Sequence, residues 1–160
     1  MSTPTVWDAV APAERSKIAL FSDLLDRVGE ARIRVSGSSM LPAIWPGDIL
    51  TIRRCGVREA RCGDIALFAR DGRLFAHRVV ARDGDRLVTR GDSVPSPDAP
   101  VSGAELLGVA RSISRGGRPV AAPGPMGVTG RLVAAAVRRS STASRILQRG
   151  RALRDRLGVS

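Results

Sequence analysis

Turn signals divide the middle of this chain into runs too short for a helix, and their spacing limits the folds open to it. Pro46-Gly47-Asp48, Gly63-Asp64, Asp71-Gly72, Asp83-Gly84 and Gly91-Asp92 punctuate a segment otherwise rich in Val, Ile, Leu and Ala. The runs between them predict strands over residues 31–36, 48–53, 64–70, 73–80, 86–90 and 106–114. Asp71-Gly72 and Asp83-Gly84 are two-residue hairpin signals. Residues 56–63 read as a polar, turn-rich link, and Arg115-Gly116-Gly117-Arg118 closes the last strand. Short strands at this spacing predict a mainly β fold, a coiled antiparallel sheet or partly closed barrel. The repeated Gly-Asp pairs are turn chemistry and not an internal repeat.

The flanks have a different pattern. Over residues 12–29, Ile18, Phe21, Leu24, Leu25 and Val28 recur at helical spacing, with Arg15, Lys17, Asp23 and Asp26 between them and Gly29 as a stop. Such a helix packs against the β domain or docks a partner. Residues 119–125 are rich in Pro, Ala and Gly, as in a linker. Residues 128–157 interleave leucines and valines with arginines, forming one or two basic amphipathic helices broken near Ser140-Ser141-Thr142. The expected organisation is a helical segment (1–30), a β domain (31–118), a linker (119–127) and a basic tail (128–160).

The tail suits an anionic membrane surface, where each basic residue contributes about 1 kcal/mol. An acidic partner, or simple solvation, accounts for it equally well, and nucleic acid is the least favoured of its partners. The net charge of +11 is almost wholly arginine. It points to an anionic partner or to a compositional bias toward Arg. With no secretory signal and no apolar run long enough to span a bilayer, the expected location is the cytoplasm, at the membrane's inner face where the tail engages lipid. Cys55 and Cys62 fit neither a zinc pair nor a redox motif and read as small buried hydrophobes, with a disulfide as the alternative. With one His and two Cys, no metal site and no cofactor is expected.

The chemistry centres on Ser39, in Ser36-Gly37-Ser38-Ser39-Met40-Leu41-Pro42. A serine hydroxyl needs a neighbouring base to become a nucleophile at neutral pH. The chain has one histidine, His77, and its only lysine, Lys17, lies in the upstream helix. If Ser39 is a nucleophile, His77 is its base by elimination.

Ser-Gly-x-Ser-Met-x-Pro, then Pro46-Gly47-Asp48-Ile49-Leu50, then Gly63-Asp64-Ile65-Ala66-Leu67-Phe68, resembles the signal peptidase I and LexA-type superfamily of serine endopeptidases. His77-Arg78-Val79-Val80 and Leu87-Val88-Thr89-Arg90-Gly91-Asp92-Ser93, followed by Asp98, resemble its Ser-His branch, in which an Asp supports the His. The resemblance covers residues 32–114. It implies Ser39 as nucleophile, His77 as general base and Asp98 as the supporting carboxylate. Asp92 is the runner-up, read as shaping the site through backbone N–H groups. The oxyanion donors would be backbone N–H groups of Ser39 with Ser38 or Gly37. Some relatives place a serine hydroxyl two positions before the nucleophile, where this chain has Gly37, a residue suited to the turn. Met40, Leu41, Ile44 and Phe75 would line shallow substrate pockets, with the peptide bound as an added strand. Trp45 has no clear role in this pattern.

The resemblance implies a peptidase that removes a leader or propeptide from a precursor protein or peptide, as small relatives without membrane anchors do. A self-cleaving LexA-type regulator fits less well. The region before Ser39 is too short for a DNA-binding module and linker, and no Ala-Gly or Cys-Gly bond precedes Ser39. A basic binding module on the same fold, without turnover, is the remaining alternative. No oligomeric state follows from the residues.

Overall fold

The structure, a computed structural model, describes residues 12–121, with side chains from residue 15. The basic tail and the start of the chain lie outside the described residues. One helix, α1 (Pro12–Val28), precedes seven strands: β1 (Glu30–Arg34), β2 (Ile49–Arg53), β3 (Ile65–Arg70), β4 (Arg73–Asp83), β5 (Arg86–Arg90), β6 (Leu106–Arg115) and β7 (Arg118–Val120). They form a single antiparallel sheet ordered β1-β2-β6-β3-β4-β5, with β7 added beside β6. The class is mainly β, as the turn spacing implies. The sheet is open, and β1 and β5 are its edges.

The hairpin chemistry differs from expectation in two places. Asp71-Gly72 forms the expected tight turn, both residues at positive φ (50° and 67°). The next turn is Gly84-Asp85, one residue later than Asp83-Gly84, because Asp83 still pairs with Arg86. Gly116 and Gly117 both take positive φ (56° and 81°) and do not end the sheet. They turn the chain into β7, whose last two residues, Pro119 and Val120, were assigned from sequence to the linker.

β3 lies at the centre and is buried on both faces. By strict alternation Ile65 and Leu67 enter one core, with Leu25, Met40, Ile44, Leu50 and Ile113. Ala66 and Phe68 enter the other, with Val79, Leu87, Val101 and Val109. Irregularities at Thr51/Ile52, Leu67/Phe68 and Val79/Ala81 shift the register and coil the sheet. Gly108 permits the tight β2–β6 crossing, since a Cβ there would run into the Arg53 carbonyl.

α1 packs on β1 and on β4. The face that meets the sheet is narrower than the periodicity suggests. Leu25 is fully buried and Phe21 and Ile18 are half-buried, but Leu24 and Val28 are 45% and 65% exposed, because the helix touches the sheet along one stripe only. No described helix is long and apolar enough to cross a membrane. Both cysteines are free; Cys55 is buried as expected, while Cys62 is exposed.

Candidate active site

β1 ends at Arg34, and Val35 N–H still bonds to the Asp48 carbonyl at 2.8 Å before the chain turns through Ser36–Met40. This puts Ser39 in front of β4, where His77 sits opposite Ala66 on β3. Ser39 Oγ lies 2.9 Å from His77 Nε2. On the other side of the ring, His77 Nδ1 lies 2.7 Å from Asp98 Oδ2. An ionised carboxylate can only accept, so the Nδ1 hydrogen donates to Asp98 and Nε2 accepts from the Ser39 hydroxyl. His77 is buried, while Ser39 and Asp98 are half-buried.

Each of the three is fixed by a neighbour. Thr89 Oγ1 donates to Asp98 Oδ2 at 2.7 Å, and Asp98 N–H donates to the Thr89 carbonyl at 2.8 Å. The chain has three Phe, and two of them surround the imidazole. Phe68 and Phe75 stack at 5.5 Å and lie 6.0 and 5.9 Å from the His77 ring. Ser39 is held by the turn after β5: Ser93 N–H donates to the Ser39 carbonyl at 2.9 Å, and Ser93 Oγ to the Ser38 carbonyl at 3.0 Å.

A family model described as Peptidase S24-like matches residues 7–109. The chain belongs to this family. No curated protein matches the chain. Membership in the Peptidase S24-like family supports a serine-type peptidase or a LexA-type self-cleaving regulator in general terms.

Several residues of this S24-like domain take places different from those expected. Asp92 lies beside the trio, with its carboxylate held by Arg78 through two bonds of 2.9 and 2.8 Å, in a buried pair that also anchors the Gly63 carbonyl. Gly37 has φ outside the left-handed region and a Cβ there would meet nothing, so the turn does not demand glycine. Gly91 is the glycine the site does need: a Cβ would stand 2.7 Å from the Ser39 carbonyl oxygen and 3.1 Å from Ser39 Cβ. The pattern offered no sign of this beyond a Gly-Asp pair.

Ser39 and His77 open onto a groove of about 710 Å³. Ser38, Gly37, Met40, Ile44 and Phe75 line it. Leu41 does not; it is fully buried, its N–H bonded to the Ser38 carbonyl at 3.2 Å so that the turn carries its side chain inward. Trp45 lies outside the groove too. Its indole donates to the Pro42 carbonyl at 2.9 Å and its ring faces Arg115, which pins the loop after the nucleophile. Lys17, Ile18 and Phe21 of α1 form a wall of the groove, a role helical periodicity alone does not reveal.

Proposed function

We propose that this protein is a serine endopeptidase that cuts a leader or propeptide from a precursor protein or peptide, using Ser39, His77 and Asp98. The observation that carries the reading is the continuous chain of bonds from Asp98 through His77 to Ser39, at 2.7 and 2.9 Å, ending in an open apolar groove.

In this mechanism Ser39 Oγ attacks the scissile carbonyl while His77 Nε2 takes its proton. Asp98 keeps the imidazole in the required tautomer and stabilises the imidazolium. The backbone N–H of Ser39, with that of Ser38 or Gly37, receives the developing oxyanion; one such donor is typically worth about 10²–10³ in turnover. His77 returns the proton to the departing amine, leaving an acyl-enzyme at Ser39. Water then repeats the sequence and frees the acid.

Strand pairing supports an extended substrate. β4 bonds to β3 from Arg73 onward, but its pairing with β5 begins only at Arg78. The Arg73–His77 edge that lines the groove is therefore open among the described strands, and a peptide can add to it.

A fluorophosphonate probe tests the reading. Wild type should be labelled at Ser39, and Ser39→Ala and His77→Ala should lose labelling while keeping a native circular dichroism spectrum. Absence of labelling on folded wild type, or labelling that survives Ser39→Ala, overturns it.

A further inference from the structure

The groove beside Ser39 has an apolar floor and a cationic rim. Met40, Leu67 and Phe75 contribute to the floor, and two exposed arginines stand on its rim, Arg34 at the end of β1 and Arg73 at the start of β4. No carboxylate stands among the described residues that line it. Elsewhere near the site arginines face acids, as in Arg70–Glu105, Arg78–Asp92 and Arg115–Asp48. A bias toward Arg explains an arginine on any surface. It does not explain why acids accompany the arginines around the groove and are missing from among the described residues within it.

A concave surface lined by one sign of charge focuses its field into the cleft, and low-dielectric walls strengthen the effect. Arg34 and Arg73 are exposed, so their guanidinium groups stay in water while their stems cover apolar wall. We propose that the groove selects extended peptides bearing an acidic residue about four positions from the bond that is cut. The distance follows from the strand. Arg73 precedes His77 by four positions on β4, roughly 13 Å at about 3.3 Å per residue, and a peptide lying along that edge advances at the same rate. Arg34, at the end of β1, lines the same groove and adds a second positive charge to it. The proposal deepens the peptidase reading and depends on it only for the position of the scissile bond.

The probes are fluorescent peptides with an apolar centre, differing only in a Glu, Gln or Lys placed four positions to one side or the other. Binding is measured on Ser39→Ala, so that it does not require turnover. The Glu peptide should bind about 3- to 5-fold tighter than the Gln peptide, with Lys weakest, and the order should fade by about 0.5 M salt. Adding Arg73→Glu should reverse the order. Arg118→Glu, an equal charge change on exposed β7 outside the groove, should leave it intact. Equal binding of the three peptides overturns the proposal, as does an equal effect of Arg118→Glu and Arg73→Glu. Hydrolysis by wild type separates the two readings. If the Gln peptide is cut as fast as the Glu peptide, the selectivity is refuted and the peptidase stands. If nothing is cut while Ser39→Ala still prefers Glu, the rim stands and the peptidase falls.

Discussion

Replacing Glu105 by Gln should lower stability by about 1–2 kcal/mol at neutral pH and have little effect near pH 2. Glu105 Oε1 accepts from Arg70 Nε at 2.6 Å, and Oε2 accepts from the N–H and hydroxyl of Ser102, both at 2.8 Å. The Arg70 bond first, and then those from Ser102, hold the carboxyl at about 2 against a reference of 4.5, outweighing the burial that pushes it up. At about 1.4 kcal/mol per pH unit, that shift is worth about 3 kcal/mol. Both side chains keep roughly a quarter of their surface in water (22% and 27%), and screening reduces the figure to about 1–2 kcal/mol. The folded value is the depressed one, so the stabilisation is complete above the unfolded carboxylate's pKa and is lost as pH falls toward 2. Thermal unfolding should show a gap between wild type and Glu105→Gln of about 4–10 °C at pH 7. It should close between about pH 5 and pH 2. The clamp also reaches the site: Arg70 donates to the carbonyls of Ala99 and Pro100, at 2.9 and 3.0 Å, directly after Asp98. Peptide hydrolysis should therefore fall along with stability. A gap that persists unchanged at pH 2.5, or no gap at pH 7, refutes the charge argument.

Asp98→Asn should lower turnover by about 10²–10⁴-fold with little change in melting temperature. Asp92→Asn should instead cost about 3–5 kcal/mol in urea unfolding, because it leaves the Arg78 guanidinium buried without its carboxylate. If Asp92→Asn damages turnover of the folded protein more than Asp98→Asn does, the triad is misassigned. Gly91→Ala should abolish fluorophosphonate labelling of a folded protein by displacing Ser39, and full labelling would show that the turn can yield. Iodoacetamide should modify exposed Cys62 under native conditions and spare Cys55, whose thiol is pushed up by burial first and by nearby Glu59. Equal rates, read by mass spectrometry, would contradict the packing around Cys55.

The strands were legible because each has to alternate between core and surface and stop at a Gly or Asp the turn requires. What was missed depends on contacts that local pattern does not encode. Gly116-Gly117 reads equally well as the end of a strand or the bend of a hairpin, and only the free edge of β6 decides for the latter. Leu24 and Val28 fit the helical period yet stay exposed, since a single helix packed on the sheet has one stripe to bury. At the site, Ser39 and His77 stood out because histidine occurs once, and the family pattern supplied Asp98. Thr89, Ser93 and Gly91 were not singled out, since each acts by touching a segment distant in sequence.

The abundance of arginine takes on a third meaning beside partner charge and compositional bias. Arg115 grips Asp48 with two bonds of 2.9 and 2.7 Å and fixes the loop that follows Ser39. Arg78 grips Asp92 and fixes the turn whose Gly91 abuts Ser39. Arg70 spans Glu105 and two carbonyls and fixes the segment that follows Asp98. Each guanidinium joins a strand of the sheet to one of three segments around Ser39, His77 and Asp98, and each uses at least two of its donors. An ammonium would keep the charge but lose the planar fork that sets direction as well as distance. Lysine at any of the three positions should therefore loosen the site while leaving the net charge of +11 unchanged. The arginines in the groove have no such structural duty in the described contacts, which leaves their charge available to a substrate.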